Sequence, residues 1–207
     1  MNKSVFNLEF QNKSTTSKIV VGLERISEVF KILLWEHAKV IGLSPIQIQI
    51  LIFIAYHKIE FCTVSYLAKE FNVTKPTISD AVRVLDKKQY ISKDYSLTDS
   101  RSYSILLSDI GKQAVAKTEN FANPLKKQLN TFEEGDLDQL LKSLNVLIHQ
   151  LNKSGILTIQ RTCFSCKFYK KSKTENYCNL MDKELLTSDI RIDCPEYIEN
   201  STGSAKG

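Results

Sequence analysis

The sequence predicts a mainly α-helical protein with one small β-hairpin and a separate cysteine-rich module near its C-terminal end. Apolar residues recur at helical spacing through most of residues 18–152, and the spacing changes to alternation only after Tyr90. Four of the five cysteines fall between residues 163 and 194. A chain of 207 residues is long enough for one core and a small appendage.

The composition is typical of a water-soluble globular protein. Hydrophobic residues make up 43% of the chain and charged residues 25%, with a formal net charge of +5 and a pI near 8.8. This charge is compatible with a nucleic-acid partner but does not require one. Residues 1–18 lack the apolar core of a signal peptide, and the most apolar run, residues 50–56, is too short to cross a bilayer. We therefore expect a cytoplasmic protein with no membrane partner.

Four segments are predicted along the chain. Residues 1–17 are rich in Asn, Ser, Thr and Lys, which predicts a flexible N-terminal arm. Residues 18–152 form the helical domain, and residues 153–200 form the cysteine-rich module, which we expect to bind metal. Residues 201–207 are predicted to be a disordered tail.

The helical domain is predicted to open with two helices, at residues 18–41 and from Ser44 onward. Gly42 ends the first helix, and Ser44 with Gln47 makes the capping-box pattern that begins the second. Residues 46–50 alternate apolar and polar side chains, so a strand is the alternative there. The cap and the apolar continuation favour the helix.

Two short amphipathic segments, separated by a tight turn, predict a helix-turn-helix. Thr63 is a suitable N-cap for the first segment, and Thr74 occupies the same position in the second. Each segment places four apolar side chains on one face: Val64, Leu67, Ala68 and Phe71 in the first, and Ile78, Ala81, Val82 and Leu85 in the second. Two such helices that share a buried side form a helix-turn-helix.

A β-hairpin, or wing, is predicted after the helix-turn-helix. Apolar residues alternate with polar ones in residues 91–97 and again in residues 103–107. The residues between these runs, 98–102, are polar and charged, which is typical of an exposed tip.

Two further helices are predicted at residues 109–130, with a kink near Pro124, and at residues 134–151. The second carries a broad apolar stripe, made of Leu137, Leu140, Leu141, Leu144, Leu147, Ile148 and Leu151. Because so apolar a helix near the end of a domain needs a partner, we expect it to form a dimerisation layer with the long first helix. The alternative is that both helices complete the core of a monomer.

The order helix, helix, helix-turn-helix, wing, helix, helix resembles the MarR family of bacterial transcription regulators. The most specific segment is Asp-Ser-Arg at residues 99–101 followed by Leu-Ser-Asp-Ile-Gly at residues 107–111, which is similar to that family's wing signature. Residues 67–73 and 77–85 resemble its helix-turn-helix. The resemblance covers about residues 18–152. It implies a winged helix-turn-helix homodimer that binds a pseudo-palindromic DNA operator, usually as a repressor; ordinary members lack the cysteine module.

The second helix of the helix-turn-helix is predicted to enter the major groove. If its apolar residues face the core, Asp80 and Arg83 project outward. Arg83 can then bond a guanine bidentately and Asp80 can accept from a cytosine amine, although the two can equally pair with each other. The resemblance implies that Arg101 reaches the minor groove and that Asp99 holds it in place. The other candidate DNA-binding residues are Lys75, Thr77, Ser79, Lys87 and Lys93. Of these, the lysines are expected to contact phosphates.

The C-terminal module carries a candidate four-thiolate metal site, made of Cys163, Cys166, Cys178 and Cys194. In a reducing compartment, clustered cysteines bind metal more often than they form disulfides. One C-x2-C pair with two isolated cysteines, the last followed by Pro, favours a 4Fe–4S iron–sulfur cluster. Structural zinc is the alternative, and disulfides or free thiols are the third possibility. An iron–sulfur cluster would make the regulator respond to redox state, oxygen or iron. With zinc, the site would be structural and a small-molecule effector would regulate the protein.

The remaining chemistry in the sequence is sparse. Cys62 precedes the Thr63 cap and is predicted to be a buried filler. The sequence holds no Ser-His-Asp set, paired-acid motif or phosphate-binding glycine loop, so we expect a protein that is not an enzyme. Two rival functions stay open: a thiol oxidoreductase built on Cys163 and Cys166, and a protein-interaction module whose helix-turn-helix does not bind DNA.

Overall fold

The computed structural model describes residues 4–95, 103–172 and 175–200. Within these ranges the helices are α1 Leu8–Lys13, α2 Thr15–Ile41, α3 Pro45–Tyr56, α4 Val64–Glu70, α5 Lys75–Lys87, α6 Asp109–Thr118, α7 Asn123–Leu129 and α8 Glu134–Lys153. The strands are β1 Ile91–Asp94, β2 Ser104–Leu107, β3 Tyr169–Lys171, β4 Asn176–Cys178 and β5 Lys183–Glu184. The predicted class, mainly helical with one small hairpin in the helical domain, is confirmed.

The helix boundaries follow the predicted capping residues. Gly42 ends α2 in the left-handed conformation, with φ of 65°, which a glycine adopts without strain. The Ser44 N–H donates to Gln47 Oε1 at 2.9 Å, so α3 is a helix and the alternative strand is wrong. The Thr63 and Thr74 hydroxyls accept the first free N–H groups of α4 and α5, both at 3.3 Å.

One hydrophobic core joins the helix-turn-helix to α3 and the wing. The predicted apolar face of α5 is buried, and Leu67 and Ala68 of α4 pack into the same core. Cys62 lies in this core with 1% of its surface exposed, as predicted for a filler. Because these helices share one core, a displacement of α4 is resisted by the packing that also holds α5.

The wing is an antiparallel pair in which Ile91 lies opposite Leu107 and Asp94 opposite Ser104. Its predicted tip, residues 98–102, lies outside the described residues. At the base of the wing, a Cβ on Gly111 would lie 2.0 Å from the Tyr90 carbonyl oxygen. Only glycine therefore allows α6 to begin this close to the wing, which is a physical reason for this part of the wing signature.

Two predicted segments differ in the structure. The flexible arm predicted over residues 1–17 instead contains α1, and α2 begins at Thr15, because Asn7 and Ser14 accept N–H groups as N-caps. The single helix predicted over residues 109–130 is two helices, α6 and α7. The break precedes Pro124, which is tolerated in the first turn of α7 because the N–H that it lacks has no intrahelical partner there.

The C-terminal module is a three-stranded antiparallel sheet in the order β3-β4-β5, with a small core formed by Cys163, Leu185 and Ile190. It packs against α8, where the rings of His149 and Phe164 lie 5.6 Å apart. The module also contacts the helix-turn-helix, where the Thr158 hydroxyl donates to the Lys69 carbonyl. In the described part of the chain, no single helix is both long enough and apolar enough to span a membrane. Helices α2 and α3 have the required length and apolar content only when taken together, and they are bent by 90° relative to each other.

Candidate DNA-binding face and cysteine site

The outward face of α5 is polar and exposed along its length. Ile78, Ala81, Val82 and Leu85 point into the core, and this turns the six predicted DNA-binding residues of the helix to the surface. These exposed residues are Lys75, Thr77, Ser79, Asp80, Arg83 and Lys87. The arrangement puts donors and acceptors for base edges and cations for phosphates on one side of a single helix.

Asp80 and Arg83 pair with each other on this face. Arg83 Nη2 lies 2.7 Å from Asp80 Oδ1, and the side chains are 69% exposed for Asp80 and 75% for Arg83. An exposed pair of this kind contributes at most about 1 kcal/mol, so a base edge can replace it. The two interactions considered for these residues are therefore compatible: Asp80 and Arg83 pair with each other in the free protein, and each can contact a base edge instead when DNA is bound.

The structure gives Lys93 a partner other than the predicted phosphate. Its Nζ lies 2.6 Å from Asp86 Oδ2 and 5.3 Å from the centre of the Tyr103 ring. The hydrogen bond to Asp86 raises the pKa of Lys93. Lys93 thus ties the wing to α5, while the two predicted wing-tip residues, Asp99 and Arg101, lie outside the described residues.

The four cysteines of the module line a single cavity of about 30 Å³. Cys163 and Cys166 are buried and lie on either side of a tight turn in which the Cys166 N–H donates to the Cys163 carbonyl at 3.0 Å. Cys178 comes from β4 and Cys194 from the loop that follows residue 191, and both are partly exposed. The fold thus brings together thiols that are up to 31 positions apart in the chain.

Arg191 is the cation beside these thiols. Its backbone N–H donates to Cys163 Sγ at 3.3 Å, and its guanidinium donates to Cys194 Sγ at 3.6 Å and to Met181 Sδ at 3.6 Å. Burial raises the pKa of Cys163; the N–H of Arg191 lowers it, and the other three cysteines raise it further. A raised thiol pKa is the opposite of what a reactive nucleophile needs.

The thiols are free and, as they stand, do not form a finished metal site. All five cysteines are unpaired by disulfides. Across residues 4–95, 103–172 and 175–200, no three Cys, His, Asp or Glu side chains are arranged so that they could hold a metal ion. Binding an ion would therefore require the cysteine side chains to move within the cavity that they line.

Arg161, which sequence reasoning missed, joins the module to the helix-turn-helix. Its side chain is 6% exposed. It forms a bidentate pair with Asp193, at 2.6 and 2.8 Å, and a second with Glu70, at 2.7 and 3.1 Å. The Tyr66 hydroxyl, at 2.9 Å, and His57 Nε2, at 3.3 Å, complete its surroundings.

This network satisfies a buried charge nearly completely. Burial lowers the pKa of Arg161, but the hydrogen bonds to Asp193 and Glu70 outweigh this effect and the net pKa is raised. Burial likewise raises the pKa of Asp193, while Arg161 and His57 more than reverse that change. No sequence motif marks the network, because Glu70 lies 91 positions from Arg161 and Asp193 lies 32 positions from it.

Comparison with known proteins gives one family match and a set of similar folds. Residues 41–102 match the MarR family. No curated protein matches the chain. The matched residues run from the end of α2 through the helix-turn-helix to the wing tip.

Several solved structures share the fold at low sequence identity. The S. aureus MepR–DNA complex has a TM-score of 0.57 and 22% identity, over 64% of this chain and 97% of that one. A MarR/EmrR family regulator from Acinetobacter sp. ADP1 has a TM-score of 0.56 and 21% identity, over 68% and 99%. A MarR regulator from Methanosarcina mazei Go1 has a TM-score of 0.55 and 19% identity, over 65% and 97%. The matched segment is thus similar to the MarR family, and the solved structures show that the chain shares their winged-helix fold.

Proposed function

We propose that the protein is a homodimeric transcription regulator that binds a pseudo-palindromic DNA operator with α5 of each subunit in a major groove. The observation that carries this proposal is the exposed polar face of α5, in a fold shared with the S. aureus MepR–DNA complex. A two-fold symmetric dimer presents its recognition helices to half-sites about one helical turn apart. Repression is the mode of action that the family resemblance implies.

The predicted DNA-binding residues of α5 and of the wing tip each have a role in this proposal. Arg83 leaves Asp80 to bond a guanine, and Asp80 then accepts from a neighbouring cytosine amine. Lys75 and Lys87, both exposed on α5, contact phosphates and make the affinity depend on salt. Thr77 and Ser79 flank them, and Arg101 reads the minor groove with Asp99 holding it.

Replacing Arg101 with Ala is expected to weaken operator binding by about 1–3 kcal/mol, because one groove contact per subunit is lost. The dimer should survive, since Arg101 is not among the residues that we assign to dimerisation. A gel-shift titration on a selected operator measures the affinity. Lys31→Ala on α2 is the control, because Lys31 is an exposed cation that pairs with Glu28 at 2.7 Å. Equal affinities for Arg101→Ala and wild type would contradict the wing assignment.

An apolar stripe on α2 that stays about half exposed in the single chain supports the dimer. Ile19, Leu23, Ile26 and Phe30 follow helical spacing, yet they are 56%, 39%, 41% and 40% exposed in the single chain. On α8 the leucine stripe is only partly covered, and Asn145 is the one buried residue of that helix. We assign both surfaces to the subunit interface, since an apolar stripe of this length needs a partner.

For the cysteine module we propose a metal site held by Cys163, Cys166, Cys178 and Cys194, with a 4Fe–4S cluster favoured over zinc. The four thiols line one cavity, and Arg191 lies beside it to stabilise thiolate charge; this supports the donor set, although the cysteine side chains have to move together to hold a metal. A cluster would supply a centre sensitive to redox state, oxygen or iron, whereas zinc would supply a structural cross-link. With zinc, a small-molecule effector would regulate the protein.

Protein purified without oxygen is expected to be brown and to contain iron and sulfide. The visible spectrum, together with metal and sulfide analysis, measures this. Cys178→Ser should lower the metal content, because one ligand is removed, whereas Cys62→Ala should not, because Cys62 lies in the core of the helical domain. Colourless protein with one zinc per chain would support the zinc alternative, and protein with neither metal would contradict the metal site.

A further inference from the structure

Arg161 with its four partners, Glu70, Asp193, Tyr66 and His57, forms what we call the Arg161 clamp. The guanidinium is buried and bonded at both ends: Asp193 belongs to the cysteine module, and Glu70 is the last residue of α4. The rings of Phe53 and Phe61 lie 5.6 and 5.8 Å from its central carbon, so water has little access to the pairs. A buried guanidinium that is bonded to carboxylates at both ends resists separation from them.

At its module end, the clamp is continuous with the cysteine cavity. Asp193 immediately precedes Cys194, and the Cys194 N–H donates to the Arg161 carbonyl at 2.9 Å. Arg161 itself lies two residues before Cys163. A change in the positions of Cys163 and Cys194 therefore acts directly on the backbone that carries Arg161 and Asp193.

At its other end, the clamp holds the C-terminal turn of α4. Glu70 pairs with Arg161, and the carbonyl of the preceding residue, Lys69, accepts from the Thr158 hydroxyl. Leu67, one turn earlier, is fully buried in the core that α5 shares. A shift of this turn is thus transmitted by packing to the recognition helix.

The module's other contact, with α8, is of a different kind. There residues 187–189 contact the helix, and the ring of Phe164 meets the ring of His149 edge to face at 5.6 Å. Aromatic contacts contribute about 0.5–1.5 kcal/mol, whereas a hydrogen bond to a charged group contributes about 1.5–3 kcal/mol. The clamp thus adds several charged hydrogen bonds to the contact with α8, and those to Glu70 end on α4.

We propose that the Arg161 clamp transmits the state of the cysteine site to the helix-turn-helix: the closed site holds the end of α4 in place, and an opened site releases it. This inference rests on the proposed function of the four cysteines as one ligand-holding site. It assigns the output of that site to α4, in addition to any effect on the dimer helices.

A double-mutant cycle on the full-length protein, followed by hydrogen exchange, tests the clamp. Cys178→Ser opens the cysteine site without touching the clamp, and Glu70→Met removes the α4 end while Asp193 still neutralises Arg161. Amide exchange in residues 64–70 is the readout, and residues 45–56 in α3 serve as the internal standard of an intact core. Glu60→Met, in the exposed turn before α4, is the matched control for loss of a carboxylate.

Cys178→Ser is expected to speed exchange in residues 64–70 by roughly fivefold or more, the lower range of allosteric coupling. This full increase in exchange is expected in the wild-type and Glu60→Met backgrounds. In the Glu70→Met background, Cys178→Ser should add nothing to the increase that Glu70→Met causes by itself. Unchanged exchange in Cys178→Ser overturns the proposal, and so does the same increase in both backgrounds. The readout needs no DNA, and the iron, sulfide and zinc contents of each sample are measured alongside it. Wild-type protein without metal contradicts the metal proposal, whereas metal that is lost in Cys178→Ser without any change in exchange overturns the clamp.

Discussion

Replacing Ile26 with Glu is expected to convert the dimer into monomers. Ile26 lies in the middle of the exposed α2 stripe, between Leu23 and Phe30, with 41% of its surface exposed in the single chain. A carboxylate there would have to be buried without a partner in the interface, at a cost of several kcal/mol. Light scattering after size-exclusion chromatography measures the mass, and one chain per particle is the expected result.

Loss of the dimer should also remove high-affinity operator binding, since a monomer reaches only one half-site. Linked binding sites gain about 10²- to 10⁴-fold in avidity, so a loss of at least about 100-fold is expected in a gel-shift titration. Arg25→Glu is the control, because the Arg25 side chain, next to Ile26 in the sequence, is exposed and lies off the stripe. An Ile26→Glu protein that remains dimeric would contradict the assignment of this stripe to the interface.

Replacing Arg161 with Met is expected to destabilise the protein by about 3 kcal/mol. The change leaves Glu70, whose side chain is 19% exposed, without its cation, and leaves Asp193 with only His57. Removing one partner of a buried charge network costs about 3–5 kcal/mol; the lower end applies because the Asp193 side chain is 45% exposed. Urea unfolding, followed by circular dichroism, measures the free energy of unfolding.

Lys183→Met is the matched control for Arg161→Met. Lys183 also lies in the module and pairs with Asp189 at 2.8 Å, but its side chain is 53% exposed. Its loss should change the free energy of unfolding by at most about 1 kcal/mol. If the two substitutions had equal effects, the Arg161 network would contribute no more than an ordinary surface ion pair.

The parts of the fold that could be predicted from the sequence are those that local chemistry determines. Thr63 and Thr74 cap their helices because a hydroxyl at that position satisfies a free N–H whatever surrounds it. The burial of Ile78, Val82 and Leu85 follows from helical spacing alone. The polar face of α5 is the geometric complement of that spacing, so its predicted DNA-binding residues lie where expected.

The parts that could not be predicted depend on contacts between distant residues. Lys93, expected to contact a phosphate, pairs in the free chain with Asp86 of α5, a contact that forms only once the wing packs against that helix. The Arg161 clamp joins residues up to 136 positions apart and has no spacing that a pattern could detect. Helix α1 was missed because polar residues such as Asn7 and Ser14 are as typical of irregular segments as of helix caps.

Selection from a random library of double-stranded DNA tests most directly whether this protein is a DNA-binding regulator. Full-length protein is incubated with the library, and the bound DNA is amplified and sequenced over several rounds. We predict enrichment of one pseudo-palindromic site with half-sites about one helical turn apart, bound by two chains. Failure to enrich any sequence would contradict the proposed function and would favour a protein-interaction module that retains the winged-helix fold.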